Sequence, residues 1–149
     1  MIARFNLRVY AIIINENNEV LLSHESRNGF EFVKFPGGGV EPGEGISDAI
    51  SRELKEELNL EIISKEFFFF NEDFQSSYAR NTDQVICFYY KVILKKYPQK
   101  FERNIPLGSS DITDFEYGFW KPLMAVSVSD FTFPIDKIVV TEIQKEFLK

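Results

Sequence analysis

The chain has 149 residues and a formal net charge of -6 at neutral pH. This is the length of one domain with a single substantial core, and we predict one domain over residues 1–149. The negative charge argues against nonspecific binding to polymeric nucleic acid, which requires clustered Lys and Arg side chains to replace the counterions of the phosphates.

The only cysteine, Cys87, lies within an apolar run and cannot form an internal disulfide. This fits a reducing cytosol, and we expect a cytoplasmic location. The first fourteen residues carry Arg4, Asn6 and Arg8 before a short apolar run, which is not the order of a secretion signal. No apolar stretch reaches the length of a membrane span, so we expect no membrane partner.

Hydrophobic periodicity and turn residues predict six strands and two helices. The predicted strands cover residues 3–14, 19–23, 30–35, 60–71, 84–95 and 116–121, and the predicted helices cover residues 47–58 and 135–148. Helices on both faces of a mixed sheet predict an α/β fold. The stretches 75–83 and 98–114 are predicted loops. The four phenylalanines at 67–70 leave no polar alternate face, so we expect that strand to be covered on both sides.

The first predicted helix carries carboxylates on its apolar side. At about 100° per residue, Glu53 and Glu57 share the face of Ile50 and Leu54. Burying a carboxylate without a partner costs roughly several kcal/mol, unless the group takes up a proton. A cation is therefore expected beside these residues. Glu56 lies three residues beyond Glu53 and extends the cluster. Oxygen ligands alone favour a hard ion, Mg²⁺ or Mn²⁺.

The spacing around this helix resembles a known family pattern. The matching positions are Gly38, Glu44, Arg52-Glu53-Leu54, Glu56-Glu57 and Asn59-Leu60. Together they resemble the Nudix box of the MutT-type hydrolases, and the resemblance extends outward to residues 15–20 and 35–37. Asn59 departs from the pattern, because the family usually has glycine there. Asparagine is the commonest other residue able to adopt the positive φ that ends the helix.

The resemblance implies an α/β/α sandwich with a mixed β-sheet between helices. It also implies Mg-dependent hydrolysis of a diphosphate linkage in a nucleoside diphosphate linked to another group, with a nucleoside triphosphate or related nucleotide as the expected substrate. The implied metal ligands are the Gly37 carbonyl, Glu56 and Glu57, with Glu53 as a ligand or general base. Arg52 is expected to orient the cluster. Glu44 is expected to position the glycine loop or to reach a second metal.

Further candidates lie outside the matched pattern. Gly38 and Gly39 would let the backbone pass close to the phosphates. The other candidates are Arg27 and Lys34 as phosphate contacts, Tyr78 as a stacking residue, Asp136 at the base pocket, and Asp114 or Glu116 as an additional acid. Each has an ordinary structural alternative, such as surface charge, a packing aromatic or a residue favoured at a helix N-terminus.

Two other functions are compatible with the pattern. A Nudix-fold binding or regulatory module could retain the box without turnover, although the intact glutamate cluster argues against it. Isopentenyl-diphosphate isomerase shares the superfamily but requires a cysteine in an active-site loop, and Cys87 is predicted to lie within a strand. The specific substrate and the oligomeric state stay open, with a homodimer among the alternatives.

Overall fold

The computed structural model describes residues 1–149 and contains seven strands and two α-helices. In chain order these are β1 (Arg4–Ile12), β2 (Glu19–Arg27), β3 (Phe30–Lys34), β4 (Gly37–Gly39), α1 (Ile46–Leu58), β5 (Ile62–Phe70), β6 (Asp83–Leu94), β7 (Phe115–Pro122) and α2 (Pro134–Phe147). Two short 3-10 turns, Leu123–Ala125 and Val128–Asp130, connect β7 to α2.

The strands form two sheets. The four-stranded sheet has the order β4-β1-β6-β5 and is mixed, because β1 and β6 run parallel while the outer pairs are antiparallel. The three-stranded sheet has the order β3-β2-β7 and is antiparallel throughout. The chain passes from one sheet to the other at the turn between β1 and β2, where the Leu21 amide donates to the Ile13 carbonyl.

Strand β1 separates two hydrophobic cores. Its side chains alternate between the two faces of the sheet, as in any strand. Tyr10 and Ile12 pack in the core that contains the apolar face of α2, while Val9 and Ala11 pack in the core that contains the apolar face of α1. The two helices therefore cover opposite faces of β1. This arrangement confirms the predicted sandwich of helices around a mixed sheet.

The predicted elements are confirmed to within a few residues, with two differences. The glycine segment Gly37–Gly39, which lies outside the predicted strands, forms a short strand paired with β1. The second strand was predicted to end at Ser23 but continues to Arg27. This extension includes Glu25, a carboxylate that the sequence analysis did not single out.

The expectation for the four phenylalanines was wrong for two of them. Phe68 and Phe69 pack against the α2-side core, but Phe67 and Phe70 are 50% and 40% exposed. Strand β5 lies at the edge of its sheet, and neither helix makes extensive contact with it. The exposed rings instead contact aromatic residues of β6, with Phe67 beside Tyr90 and Phe70 stacked on Phe88.

Neither helix is both long enough and apolar enough to cross a membrane.

Candidate active site

The glycine segment is closely approached by other atoms at two of its positions. Gly37 has a φ of 143°, and a Cβ there would stand 2.1 Å from the Val9 carbonyl oxygen. A Cβ on Gly38 would stand 2.7 Å from the carboxylate of Glu53. Glycine is therefore required at position 37 for the segment to pair with β1, and glycine at position 38 leaves room for the Glu53 side chain of α1.

Helix α1 ends as its sequence predicts. Asn59 has φ 53° and ψ 41°, which is the left-handed conformation expected at this position. Its amide donates to the Lys55 carbonyl at 3.1 Å, and the next amide, of Leu60, donates to the Leu54 carbonyl at 3.1 Å. The last turn, which carries Glu56 and Glu57, is thereby closed at its C-terminal end.

Arg52 connects the helix to the glycine segment. Its guanidinium binds Glu44 through two nitrogens at 2.7 and 2.8 Å and donates to the Gly39 carbonyl at 2.9 Å. The Nη1 atom also donates to Glu53 Oε1 and to Glu56 Oε2, both at 3.1 Å. Hydrogen bonds from Arg52 lower the pKa of Glu44 to about 2. Glu44 is thus used to hold Arg52 and the loop, which is one of its two predicted roles.

Three carboxylates from three different elements meet beside α1. Glu57 of α1, Glu25 of β2 and Glu116 of β7 each offer an oxygen, and these oxygens lie within 4.8 Å of one another. Glu25 and Glu116 are direct cross-strand partners in the register of β2 and β7. Like charges directly opposite each other in a sheet are destabilising, so the arrangement calls for positive charge nearby. We call Glu25, Glu57 and Glu116 the carboxylate cluster.

The cluster disfavours full ionisation. Burial, together with the neighbouring carboxylates of Glu25 and Glu53, raises the pKa of Glu57 to about 9, against the opposing effect of Lys34. Burial, followed by repulsion from Glu25, also raises the pKa of Glu116. Glu116 Oε2 is buried without any hydrogen-bond partner. An unsatisfied buried oxygen of this kind is rare in folded proteins and indicates that a ligand belongs beside it.

Two basic side chains contact the cluster from β2 and β3. The Lys34 ammonium lies 2.8 Å from Glu25 Oε2 and donates to the Gly37 carbonyl at 2.9 Å. Although burial acts in the opposite direction, Lys34 holds the pKa of Glu25 below its ordinary value. Arg27 is 41% exposed and lies 3.4 Å from Glu25 and 3.5 Å from Glu116. Arg27 therefore has surface to offer a phosphate, whereas Lys34 is enclosed.

The cluster opens into a cleft of about 820 Å³. The glycine segment and the acidic side of α1 line one part of it, and aromatic residues line another. Among the aromatics, Tyr78 meets the ring of Phe133 edge-on at a centroid distance of 5.2 Å. Asp136, only 2% exposed, also lines the cleft and accepts a 2.6 Å hydrogen bond from the Tyr89 hydroxyl. Burial raises the pKa of Asp136 to about 7.

The cleft brings together nearly all the residues singled out from the sequence, but not Asp114 or Glu44. Asp114 instead accepts hydrogen bonds from the Asn28 amide at 2.8 Å and the Ser109 hydroxyl at 2.6 Å, which fasten two loops together. Of the two predicted additional acids, Glu116 is the one beside Glu57. Glu53 and Glu56 line the cleft as well, but both are engaged by Arg52 and lie outside the carboxylate cluster.

Glu25 is the functional candidate that sequence reasoning missed. A signal for it exists, because Asn28-Gly29 is a dipeptide typical of two-residue hairpin turns. Both residues have positive φ, 52° and 80°, and the hairpin pairs Arg27 with Phe30. Extending that register backward would have continued β2 through Glu25 and placed it diagonally across from Lys34.

The donor set fits a divalent metal ion. Every candidate ligand is an oxygen, which suits Mg²⁺ or Mn²⁺. Three carboxylates lie close enough to share one ion, and Glu116 Oε2, which has no hydrogen bond and only the Arg27 guanidinium at 3.5 Å, is available as a ligand atom. The Gly37 carbonyl faces the same region, since the Lys34 ammonium contacts both it and Glu25.

Comparison with protein families gives a match over most of the chain. The family model described as NUDIX domain matches residues 4–140. An 8-oxo-dGTP diphosphatase from Haemophilus influenzae is 27% identical over 122 residues, which cover 80% of this chain and 78% of that protein. An RNA pyrophosphohydrolase from Ruthia magnifica is 27% identical over 142 residues, covering 88% of this chain and 76% of that protein.

Solved structures share the fold. A MutT structure from work on the Aliivibrio salmonicida and Vibrio cholerae proteins superposes with a TM-score of 0.66 at 20% identity, covering 95% of this chain and 98% of that chain. A MutT NUDIX hydrolase from Burkholderia pseudomallei gives a TM-score of 0.65 at 17% identity, covering 93% and 98%.

Proposed function

The chain belongs to the NUDIX domain family, and from that premise we propose that it is a pyrophosphohydrolase, dependent on Mg²⁺ or Mn²⁺, that acts on a nucleoside triphosphate or a related nucleotide. The observation that carries this proposal is the shared cleft, in which a carboxylate cluster and an aromatic-lined space open together. The first suits a metal-bound diphosphate and the second suits a planar base.

The names of the relatives support the same reaction class. One is an 8-oxo-dGTP diphosphatase and another is an RNA pyrophosphohydrolase, and both names describe attack on a phosphoric anhydride. The net charge of -6 favours a small nucleotide over an RNA chain as the substrate of this protein.

Glu57 would be the central metal ligand, with Glu116, Glu25 and the Gly37 carbonyl as the neighbouring oxygens. Glu53 and Glu56 would complete the acidic surface along α1. When bound, the ion would offset the charge of the diphosphate and lower the pKa of a water molecule. The protein supplies the fixed oxygens, because strand pairing holds Glu25 and Glu116 and the closed helix end holds Glu57.

Glu53 would accept the proton of the attacking water, and Arg52 would orient the Glu53 carboxylate. Arg52 Nη1 binds Oε1 of Glu53, which leaves Oε2 as the proton acceptor. Arg52 is itself fixed by two bonds to Glu44 and one to the Gly39 carbonyl. Arg52 fixes the Glu53 carboxylate and α1 fixes its backbone. The carboxylate therefore stays in one orientation, and general-base catalysis depends on such an orientation.

The remaining cleft residues would bind the substrate. Arg27, partly exposed beside the cluster, would contact phosphate oxygens, and the backbone at Gly38 and Gly39 would approach them closely. Tyr78 and Phe133 would stack on the base. The buried Asp136 would hydrogen-bond its edge, and its raised pKa allows it to donate or accept near neutral pH.

The reaction is tested with a panel of substrates. Release of phosphate or pyrophosphate would be measured with Mg²⁺ and Mn²⁺ for nucleoside triphosphates, 8-oxo-dGTP, dinucleoside polyphosphates, nucleotide sugars and an RNA carrying a 5′-triphosphate. We expect turnover of one or more nucleoside triphosphates, with chelator abolishing it. Binding of these nucleotides without any turnover would instead establish a binding or regulatory module.

Replacing Glu57 by Gln tests the metal assignment. The substitution removes the charge of a ligand but keeps its shape, so kcat is expected to fall by about a hundredfold or more. Because the pKa of Glu57 is already raised to about 9, the neutral amide should leave the metal-free fold as stable as before or slightly more so. Glu66→Gln, at an exposed position of β5, is the control. A Glu57→Gln variant within about threefold of wild-type kcat would contradict the assignment.

Three further expectations stay predictions. We propose that residues 1–149 act as one Nudix domain and that the protein is cytoplasmic. For the oligomeric state, the two alternatives are a monomer and a homodimer. Sedimentation at several concentrations would decide the oligomeric state.

A further inference from the structure

Lys34 is predicted from the sequence to contact phosphate, but its surroundings indicate another task. Its side chain is only 4% exposed. The ammonium has three acceptors, the Glu25 carboxylate at 2.8 Å, the Gly37 carbonyl at 2.9 Å and the Phe35 carbonyl at 3.3 Å. A lysine ammonium has three protons to donate, so none is left for a phosphate.

Two of these acceptors belong to the oxygens proposed to hold the metal. Glu25 is a member of the carboxylate cluster, and Gly37 supplies the nearby carbonyl. The only other cation that pairs with the cluster is Arg27, which is 41% exposed and more distant, at 3.4 to 3.5 Å. Lys34 is therefore the one enclosed positive charge beside three carboxylates.

We propose that Lys34 is a built-in cation of the metal site: its ammonium holds Glu25 and the Gly37 carbonyl in place without a metal, and its charge weakens the binding of a divalent ion to the cluster. This inference rests on the proposed function, since it assigns Lys34 a role toward the metal of that site. Lys34 is a positioning residue in this role, because its ammonium is engaged by three oxygens of the protein.

The proposal and a purely structural ion pair predict opposite changes in metal affinity when Lys34 is removed. If Lys34 only kept the donor atoms in order, its removal would leave them disordered and weaken metal binding. If its positive charge competes with the ion, its removal leaves the cluster more negative and strengthens metal binding, because charges a few ångströms apart at a partly buried site interact strongly. Metal affinity thus separates the two roles.

Calorimetric titration with Mn²⁺ tests the proposal on the wild type, Lys34→Met and the control Lys65→Met. Lys65 also donates to a backbone carbonyl, that of Ser47 at 2.8 Å, and to the Ser51 hydroxyl at 3.1 Å. It pairs with no carboxylate and so matches Lys34 in contacts but not in role. We expect the Kd of Lys34→Met to fall by about tenfold or more, and that of Lys65→Met to stay within about twofold of wild type. An unchanged or higher Kd in Lys34→Met overturns the inference.

A second measurement uses the wild-type protein, because Lys34→Met leaves the buried Glu25 carboxylate without its ammonium partner and could disturb the fold. The enclosed ammonium of Lys34 should exchange slowly and give its own ¹H–¹⁵N signal. Titration with Mg²⁺ should shift that signal saturably, with a midpoint that matches a Kd measured calorimetrically with Mg²⁺, while the Lys65 signal stays in place. A Lys34 signal unmoved at saturating Mg²⁺ overturns the inference. If wild-type protein binds neither ion, the proposed function itself fails, which is a different result from a failure confined to Lys34.

Discussion

Gly38 shows how one missing side chain can leave room for the proposed general base, Glu53. Its φ lies outside the left-handed region, so alanine fits the backbone, but an added Cβ would meet the Glu53 carboxylate at 2.7 Å. Gly38→Ala should therefore displace Glu53 rather than unfold the protein. We expect kcat to fall by about tenfold or more while the free energy of unfolding changes by less than about 1 kcal/mol.

Gly39→Ala is the matched control for this prediction. A Cβ at Gly39 would lie 3.6 Å from the Arg8 guanidinium, which is an ordinary contact. Kinetics and urea denaturation of both variants would decide the matter. Wild-type kcat in Gly38→Ala would mean that Glu53 does not need the position it has here.

Asp136 should make stability depend on pH. Burial raises its pKa to about 7, whereas an unfolded aspartate titrates near about 3.9. The folded state therefore keeps a proton that the unfolded state loses, and the free energy of unfolding falls as the pH rises between these two values. Asp136→Asn has no carboxyl group at this position, so its free energy of unfolding does not fall with pH for this reason. Relative to wild type, its free energy of unfolding should increase by about 2 kcal/mol between about pH 5.5 and pH 8.

Urea denaturation at the two pH values measures this difference. Asp73→Asn, at an exposed position, provides the control, and its difference from wild type should be the same at both pH values. A difference for Asp136→Asn that does not change with pH would show that the carboxyl is ionised in the folded protein throughout this range.

Site residues that lie close together in the chain could be predicted from the sequence, whereas partners that come from distant strands could not. Glu53, Glu56 and Glu57 follow from the spacing on one helix, and their presence in the cleft matches that expectation. The partners of Glu57 come from β2 and β7, far away in the chain. Their meeting depends on strand register, and the choice between Asp114 and Glu116 is made by which residue lies opposite Glu25. No local pattern contains that information.

At the level of elements, the end of α1 offers a direct test. Asn59 has φ 53°, so glycine should replace it with no loss of stability or with a slight gain, since glycine adopts that conformation without a Cβ clash. Asn59→Val should lower the free energy of unfolding by about 1 kcal/mol or more, because a β-branched residue is strained there.

Activity should follow stability in this series, because Glu56 and Glu57 lie in the turn that Asn59 closes. Urea denaturation and kinetics of the glycine and valine variants would measure both effects. If the valine variant proved as stable as the glycine variant, the helix end would have to relax by another route, and the position of the two carboxylates would not depend on this residue.

The elements themselves were largely predictable because their apolar periodicity is strong. The exceptions have physical causes. Three consecutive glycines carry no strand signal, yet Gly37–Gly39 pairs with β1, because the absence of a side chain at Gly37 permits the close approach to Val9. The run of phenylalanines carries a strong signal for burial, but β5 lies at an edge of the sheet where neither helix packs extensively, and Phe67 and Phe70 are exposed. Whether a strand lies at an edge is a property of the whole sheet.

For the molecule as a whole, the site joins the two layers of the fold. The glycine segment belongs to the mixed sheet, Glu25 and Glu116 belong to the antiparallel sheet, and Glu57 belongs to the helix that packs beside them. An ion bound by these groups would bridge elements that are separate in the unfolded chain. Metal binding should therefore stabilise the global fold and not only a local loop.

We accordingly expect Mg²⁺ to raise the melting temperature. With Mg²⁺ at about ten times its Kd, binding to the folded state alone contributes about 1.4 kcal/mol, which corresponds to about 3–5 °C for a chain of this size. Calorimetric scans with EDTA and with Mg²⁺ would be run at equal ionic strength, because salt alone screens the repulsion within a protein of net charge -6. Glu57→Gln should lose most of the gain. Superimposable wild-type scans with EDTA and Mg²⁺ would argue against a preformed metal site, and an equal gain in Glu57→Gln would place the ion elsewhere on the acidic surface.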